Sequence, residues 1–116
     1  MGNLRTKQAQ EVYKKFVDNG GLGGGCKLCE KEVLSSFTYW KILENDFPYD
    51  KIADIHHMIV PIRHVTEPEL SQDELNEFVQ IKKDILHNKY EFIIEATHLK
   101  KSIPEHFHLH LIVAND

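Results

Sequence analysis

No excess of positive charge runs through this sequence. Fourteen Lys and Arg stand against 18 Asp and Glu, a formal net charge of -4, so no basic stripe is present to grip the backbone of a long nucleic acid. A small phosphorylated ligand stays open. No apolar run approaches the ~20 residues that span a bilayer, and the opening residues MGNLRTKQAQEVYKKF lack an apolar stretch followed by a cleavage site. We therefore expect no membrane partner, no export and a cytoplasmic protein. Cysteine is scarce: only Cys26 and Cys29 occur, spaced C-x-x-C. One such pair without a signal peptide points to metal or redox chemistry before a disulfide scaffold. Internal repeats are absent, and the one low-complexity stretch is the glycine run at residues 20–25. That run lacks the Lys-Ser/Thr of a P-loop and the strand-loop-helix setting of a dinucleotide fingerprint, and reads as a flexible link.

What is present suits one folded domain over residues 1–116, since the length supports one hydrophobic core and not two. Residues 4–18 place Leu4, Val12, Phe16 and Val17 among Lys, Gln and Glu, as on a surface helix. Residues 37–43, rich in aromatic and β-branched side chains, read as a strand closed by Asn45-Asp46-Phe47-Pro48. Residues 55–62 read as a second strand with Pro61 near its end. Ser71 with Glu74 forms a capping box, and Leu75, Phe78, Val79, Ile85 and Leu86 follow at a helical period, which predicts the main helix. Residues 92–96 and 107–114 supply further strands around a polar loop at 97–105. The order indicates an α+β fold with a mostly antiparallel sheet.

The sharpest feature is His106-Phe107-His108-Leu109-His110-Leu111. Side chains alternate along a strand, so the three imidazoles share one face while Phe107, Leu109 and Leu111 enter the core. Alternate residues lie roughly 6.5–7 Å apart, close enough for three rings to serve one small ligand or to divide between two adjacent sites. Neighbouring imidazoles also oppose one another's protonation, which gives the row its chemical interest.

His-x-His-x-His followed by apolar residues resembles the signature of the histidine triad (HIT) family, and the resemblance extends upstream. His56-His57-Met58-Ile59-Val60-Pro61-Ile62-Arg63-His64 looks like a second family block of histidine, apolar strand, proline and further histidine. Asn45-Asp46-Phe47-Pro48-Tyr49-Asp50 and Ser102-Ile103-Pro104-Glu105-His106 are similar to stretches of the branch that includes diadenosine tetraphosphate phosphorylases. Cys26 and Cys29 lie where many members carry a zinc half-site. Residues 1–25, the first helix and the glycine run, fall outside it.

The resemblance implies a HIT-like fold with about five antiparallel strands, one main helix and an added N-terminal helix. It implies a nucleotide hydrolase or nucleotidyl transferase in which His108 attacks the α-phosphate, forming a covalent histidine-nucleotide intermediate. His110 and His56 would contact phosphate oxygens, Ser102 a bridging oxygen and Asn45 the ribose. In zinc-bearing relatives the first triad histidine joins the two cysteines and the histidine after the proline strand, which selects Cys26, Cys29, His64 and His106 as a closed structural zinc site. Relatives commonly pair across a two-fold axis, so a homodimer is expected. The sequence departs from many members in residues 95–102, which lack the glycine-rich loop and glutamine before the triad. Two rival readings stay open: a nucleotide-binding module with little turnover, and an enzyme whose catalytic zinc sits on the triad itself. His57, His87 and His98 are read as ordinary surface or core residues.

Overall fold

The elements run α1 (Lys7–Asp18), α2 (Lys27–Glu30), β1 (Val33–Ser36), β2 (Trp40–Glu44), β3 (Ala53–Pro61), α3 (Gln72–Ile81), β4 (Phe92–Ile94) and β5 (Leu109–Ala114). The structure is a computed structural model that describes residues 3–21, 23, 25–99 and 103–116. All five strands join one antiparallel sheet in the order β1-β2-β3-β5-β4, so the α+β class and strand number expected from the sequence are those observed. Among the described residues, no helix is long and apolar enough to cross a membrane.

Strand alternation gives the sheet two different faces. Trp40, Ile42, Ile59, Phe107, Leu109 and Leu111 point to one side, where Ile81, Leu86 and Tyr90 close the main core. The helix they meet starts as its sequence predicts: Ser71 Oγ accepts from the Glu74 amide at 3.1 Å and Glu74 Oε1 accepts from the Ser71 amide at 2.8 Å. That capping box also carries load from the sheet. The Trp40 indole donates to the Glu74 carbonyl at 2.8 Å, and the buried Glu74 carboxylate receives Arg63 Nη2 at 2.6 Å and Nε at 3.2 Å. The hydrogen-bonded Arg63 guanidinium holds the Glu74 carboxyl down at about 2, and so ties the end of β3, next to His64, onto the helix.

After Ile81 the helix widens into a π turn at Lys82–Leu86 before a last short turn, His87–Lys89. A regular α period would not bring Ile81 and Leu86 to one face, whereas a wide turn with its i,i+5 repeat does. Both are buried in the core. The opposite face of the sheet carries Leu43, Met58 and Val60, covered by Leu28 of α2 with Cys26 and Ile103 beside it. The triad histidines and His56 sit on this second face.

The chain differs from its sequence reading in its strand edges. Residues 37–39, read as the start of a strand, form the hairpin turn between β1 and β2, with the Phe37 amide bonded to the Trp40 carbonyl at 2.8 Å. β1 itself, a mostly exposed edge strand of Val33-Leu34-Ser35-Ser36, carries no clean alternation and was not expected. At the triad, the ladder begins only at Leu109; the Phe107 amide instead bonds the Val65 carbonyl at 2.7 Å, and the alternation persists, with Phe107 in the main core and His106 beside the cysteines. Within the glycine run, Gly20 and Gly21 take defined places. Gly20, at φ +79°, ends α1, and a Cβ on Gly21 would meet the Phe16 ring at 2.5 Å.

The N-terminal segment docks onto the loop between β2 and β3. Thr6 caps α1 and also donates through its amide (2.8 Å) and hydroxyl (2.9 Å) to Asp50. Tyr13 and Phe16 pack on Phe47 with ring centroids 5.2 and 4.6 Å apart.

Candidate functional site

The three triad histidines are buried, at 0% exposure for His106, 6% for His108 and 5% for His110, and their hydrogen bonds divide them between two centres. His106 Nε2 lies 2.8 Å from the Pro61 carbonyl, and its Nδ1 lies 3.4 Å from both Cys26 Sγ and Cys29 Sγ. Both ring nitrogens are therefore occupied away from its neighbours. A metal shared by all three triad rings would need one of them, so this geometry disfavours a catalytic metal on the triad.

His108 Nδ1 lies 2.9 Å from the His106 carbonyl. A carbonyl can only accept, so Nδ1 carries the proton and, in the neutral ring, the lone pair is on Nε2. The tautomers of the next two rings follow from a backbone donor. The Tyr49 amide donates to His56 Nδ1 at 2.9 Å, which leaves the proton on Nε2. His56 Nε2 then donates to His110 Nδ1 at 2.8 Å, so His110 Nε2 is an N–H donor, 3.3 Å from the Tyr49 hydroxyl. A backbone carbonyl thus sets the lone pair on His108 and a backbone amide, through His56, the N–H on His110, on rings 5.4 Å apart and perpendicular.

Burial is the main cause that lowers both relay histidines, His56 to about 4 and His110 to about 3, with neighbouring positive charge from Arg5 and other imidazoles adding to it. The unfolded imidazole takes its proton near 6.5. Between that pH and the folded values the unfolded chain binds more protons, so stability present above about pH 6.5 is lost as pH falls towards 4 and then 3. We expect the melting temperature of metal-free protein to decline steadily from pH 7 to 4.5, and the double variant His56→Gln/His110→Gln to decline less steeply. A flat wild-type profile over that window would refute the neutral relay.

A cavity of about 320 Å³ opens over His108 and His110. Asn45, Phe47 and Tyr49 of the β2–β3 loop form one wall, Lys27, Leu28 and Lys31 another, and Arg5, Tyr13 and Phe16 reach in from the N-terminal segment. Asn45 Oδ1 accepts from the Phe47 amide at 2.8 Å, and its amide nitrogen lies 3.3 Å from His56 Nε2. Of the expected substrate contacts, Asn45 lines the cavity and His56 does not. Both nitrogens of His56 are engaged, Nδ1 by the Tyr49 amide and Nε2 by His110. Ser102 lies outside the described residues.

The ligand atoms of Cys26, Cys29, His64 and His106 all lie within 4.8 Å of one another, a set that can hold a metal ion. His64 Nδ1 is 3.4 Å from Cys29 Sγ, and the three sulfur–nitrogen separations match the edge of about 3.5 Å that a tetrahedral zinc with ordinary bond lengths requires. The Pro61 carbonyl orients His106 as an outer-shell acceptor. The short α2 turn brings both cysteines to one side, with the Cys29 amide bonded to the Cys26 carbonyl at 3.2 Å.

Comparison with solved structures finds several of this architecture. A HIT family hydrolase from Legionella pneumophila Philadelphia 1 superimposes with a TM-score of 0.55 at 17% identity, over 79% of this chain and 95% of that one. A HIT family hydrolase from Clostridium thermocellum gives 0.51 at 16% identity, over 90% of each chain. The chain has the HIT-like fold. No family model and no curated protein matches the sequence.

Within the HIT-like fold, the sequence reading missed residues that the cavity gathers. Tyr49 stands in the sequence only as one position of a motif, although its amide sets the relay and its ring packs on His56 and His110 at 4.5 and 4.9 Å. Arg5, Tyr13 and Phe16 belong to the segment set aside as peripheral. Only the aromatic i,i+3 spacing of Tyr13 and Phe16 signals a helix face with a partner. His57, on the helix side of the sheet, meets the Tyr90 hydroxyl at 2.6 Å and has a core role.

Proposed function

We propose that this chain is a nucleotide hydrolase or nucleotidyl transferase that acts at an α-phosphate through a covalent intermediate on His108. The observation that carries the reading is the tautomer of His108, whose lone pair sits on the nitrogen opposite its carbonyl anchor, beside an N–H of His110 at the floor of the cavity. In the first step the Nε2 lone pair forms a bond to phosphorus and the phosphorus–oxygen bond to the leaving group breaks, its electron pair leaving on that oxygen. In the second, an incoming hydroxyl oxygen bonds to phosphorus, its proton passing through solvent to balance the one taken up by the departed oxygen, and the phosphorus–nitrogen bond breaks, returning the pair to Nε2. His110 Nε2–H donates to a phosphate oxygen as charge accumulates, replacing its long contact with Tyr49.

His56 holds His110 in the donor tautomer and Asn45 offers amide donors to the ribose. Ser102, by resemblance, donates to the bridging oxygen. The aromatic shelf of Tyr13, Phe16 and Phe47 suits a flat base. Zinc suits the Cys26, Cys29, His64 and His106 donor set and, with four protein ligands, would be structural.

The test is incubation with adenosine 5′-phosphoramidate, dinucleoside polyphosphates and nucleotide sugars, with products and an alkaline-stable protein adduct read by mass spectrometry. Release of a nucleoside monophosphate supports the reading. Nucleotide binding with neither product nor adduct would replace it with a binding module. We also infer a homodimer: β4, at the sheet edge, is three residues long and leaves Phe92 55% exposed, an edge that a second copy would cover. Light scattering at tens of micromolar should report twice 13.5 kDa, and a monomeric mass would count against it.

A further inference from the structure

We propose that Arg5 is an anion-binding residue of the cavity, taking a phosphate oxygen of the bound nucleotide from the Tyr49 side while His110 takes another. The inference rests on the nucleotide reading above and assigns a ligand contact to the N-terminal segment. Arg5 is half-buried and lines the cavity. Its Nε donates to the Phe47 carbonyl at 2.8 Å. The guanidinium carbon lies 4.2 Å from the Tyr13 ring centroid and 5.1 Å from that of Tyr49. Tyr49 in turn lies 4.9 Å from the His110 ring, so Arg5 stands one ring away from the donor on the cavity floor. Bonded through Nε and flanked by two aromatic rings, the guanidinium is held in place before any ligand arrives.

The other cations on the cavity wall are already matched. Lys31 pairs with Asp46 at 2.6 Å and Lys27 with Glu30 at 3.7 Å. Asp50, the carboxylate that feels Arg5, is taken by the Thr6 amide and hydroxyl. Among the described residues no carboxylate lies within 4.0 Å of Arg5, and its terminal nitrogens make no hydrogen bond. A half-buried cation with no carboxylate in contact gains from an arriving anion, and the planar fork with its two terminal NH2 groups matches the oxygens of a phosphate. A structural tie alone would need only the Nε bond and the ring stacking. The same positive charge helps keep His56 and His110 neutral, so the relay and the anion site share one source.

The experiment is calorimetric titration of the zinc-loaded protein with AMP and with adenosine, comparing wild type with Arg5→Met, Arg5→Lys and Thr6→Ala. Methionine keeps an apolar stem against Tyr13 and removes the charge. Thr6→Ala loosens the segment and keeps it. We expect Arg5→Met to weaken AMP by about 10- to 100-fold, as loss of a charge-assisted hydrogen bond does, with Arg5→Lys recovering part of the loss. Thr6→Ala should cost AMP far less, and adenosine should be bound equally by wild type and Arg5→Met. Unchanged AMP affinity in Arg5→Met, an equal loss in Thr6→Ala, or parallel losses of AMP and adenosine in Arg5→Met would each overturn the assignment and leave the nucleotide reading standing. Wild-type protein that binds no AMP would overturn the nucleotide reading itself, and this inference with it.

Discussion

Replacing His108 with asparagine should lower turnover by about 10⁴-fold or more while the protein stays folded and binds substrate. The size follows from the role: a residue that forms the covalent bond belongs to a unit whose loss removes the whole route, as in enzymes where deleting one member costs nearly as much as deleting all. Folding survives for a specific reason. His108 Nδ1 contacts the His106 carbonyl at 2.9 Å, and an asparagine amide nitrogen can make the same donation, yet asparagine has no nitrogen lone pair able to attack phosphorus. His110→Ala should cost about 10²–10³-fold, the usual range for one transition-state donor. His56→Gln should fall between wild type and His110→Ala, because it disturbs the tautomer of His110 without removing the donor. The measurement is kcat and adduct formation for the three variants on one nucleotide substrate. Normal turnover by His108→Asn would remove the nucleophile from the scheme and favour a binding module. Equal losses in His108→Asn and His110→Ala would argue that both act only as phosphate donors.

That ranking draws on two kinds of information, and only one was legible in the sequence. The period-2 spacing of His106, His108 and His110 placed them on one face, because alternation is a property of extended backbone whether or not a ladder bond is made, and the structure keeps it even where residues 106–108 leave the ladder. The capping box at Ser71 and Glu74 was legible because both partners lie within one helical turn. Which ring nitrogens of His56 and His110 carry protons was not legible. That depends on the Tyr49 amide, seven residues from His56 in sequence, and on a bond to His110 that links two strands. The same limit explains Arg5. A single arginine before an N-cap threonine has no pattern to distinguish it, and its meaning comes from contacts with Phe47 and Tyr49, more than 40 residues away. The strand β1 went unread for a different reason: four mostly exposed edge residues need no alternation, and the aromatic residues that follow them, which mimic a strand, form the turn instead.

Emptying the proposed zinc site should affect the cavity over His108 as well as stability, because the proposed ligands and the cavity wall share one short segment. Cys26 caps α2 and Cys29 lies within it. Lys27, Leu28 and Lys31, in or beside the same turn, line the cavity, and Leu28 is 3% exposed against Leu43, Met58 and Val60. A four-residue helix has no stability of its own, so what holds this wall is Leu28, the Lys31–Asp46 pair and the ligand set. If zinc binds the folded chain at a thousandfold over its dissociation constant, it stabilises by about 4 kcal/mol. For a domain of this size chelation should then lower Tm on the order of 15 °C. Cys26→Ser should reproduce the effect and raise KM for the nucleotide more than it lowers kcat, since His108 and His110 keep their own hydrogen bonds. His106→Ala removes a ligand that also carries the Pro61 bond and should be the least stable single variant. Ligands of one metal act as a unit, so Cys26→Ser combined with His64→Gln should cost little more than either alone. Metal analysis of protein purified without chelators, Tm with and without EDTA, and KM for the variants decide the matter. Additive losses, or an unchanged Tm after EDTA treatment together with no detectable zinc, would mean that the two cysteines and two histidines hold no metal and that α2 is secured by apolar packing alone.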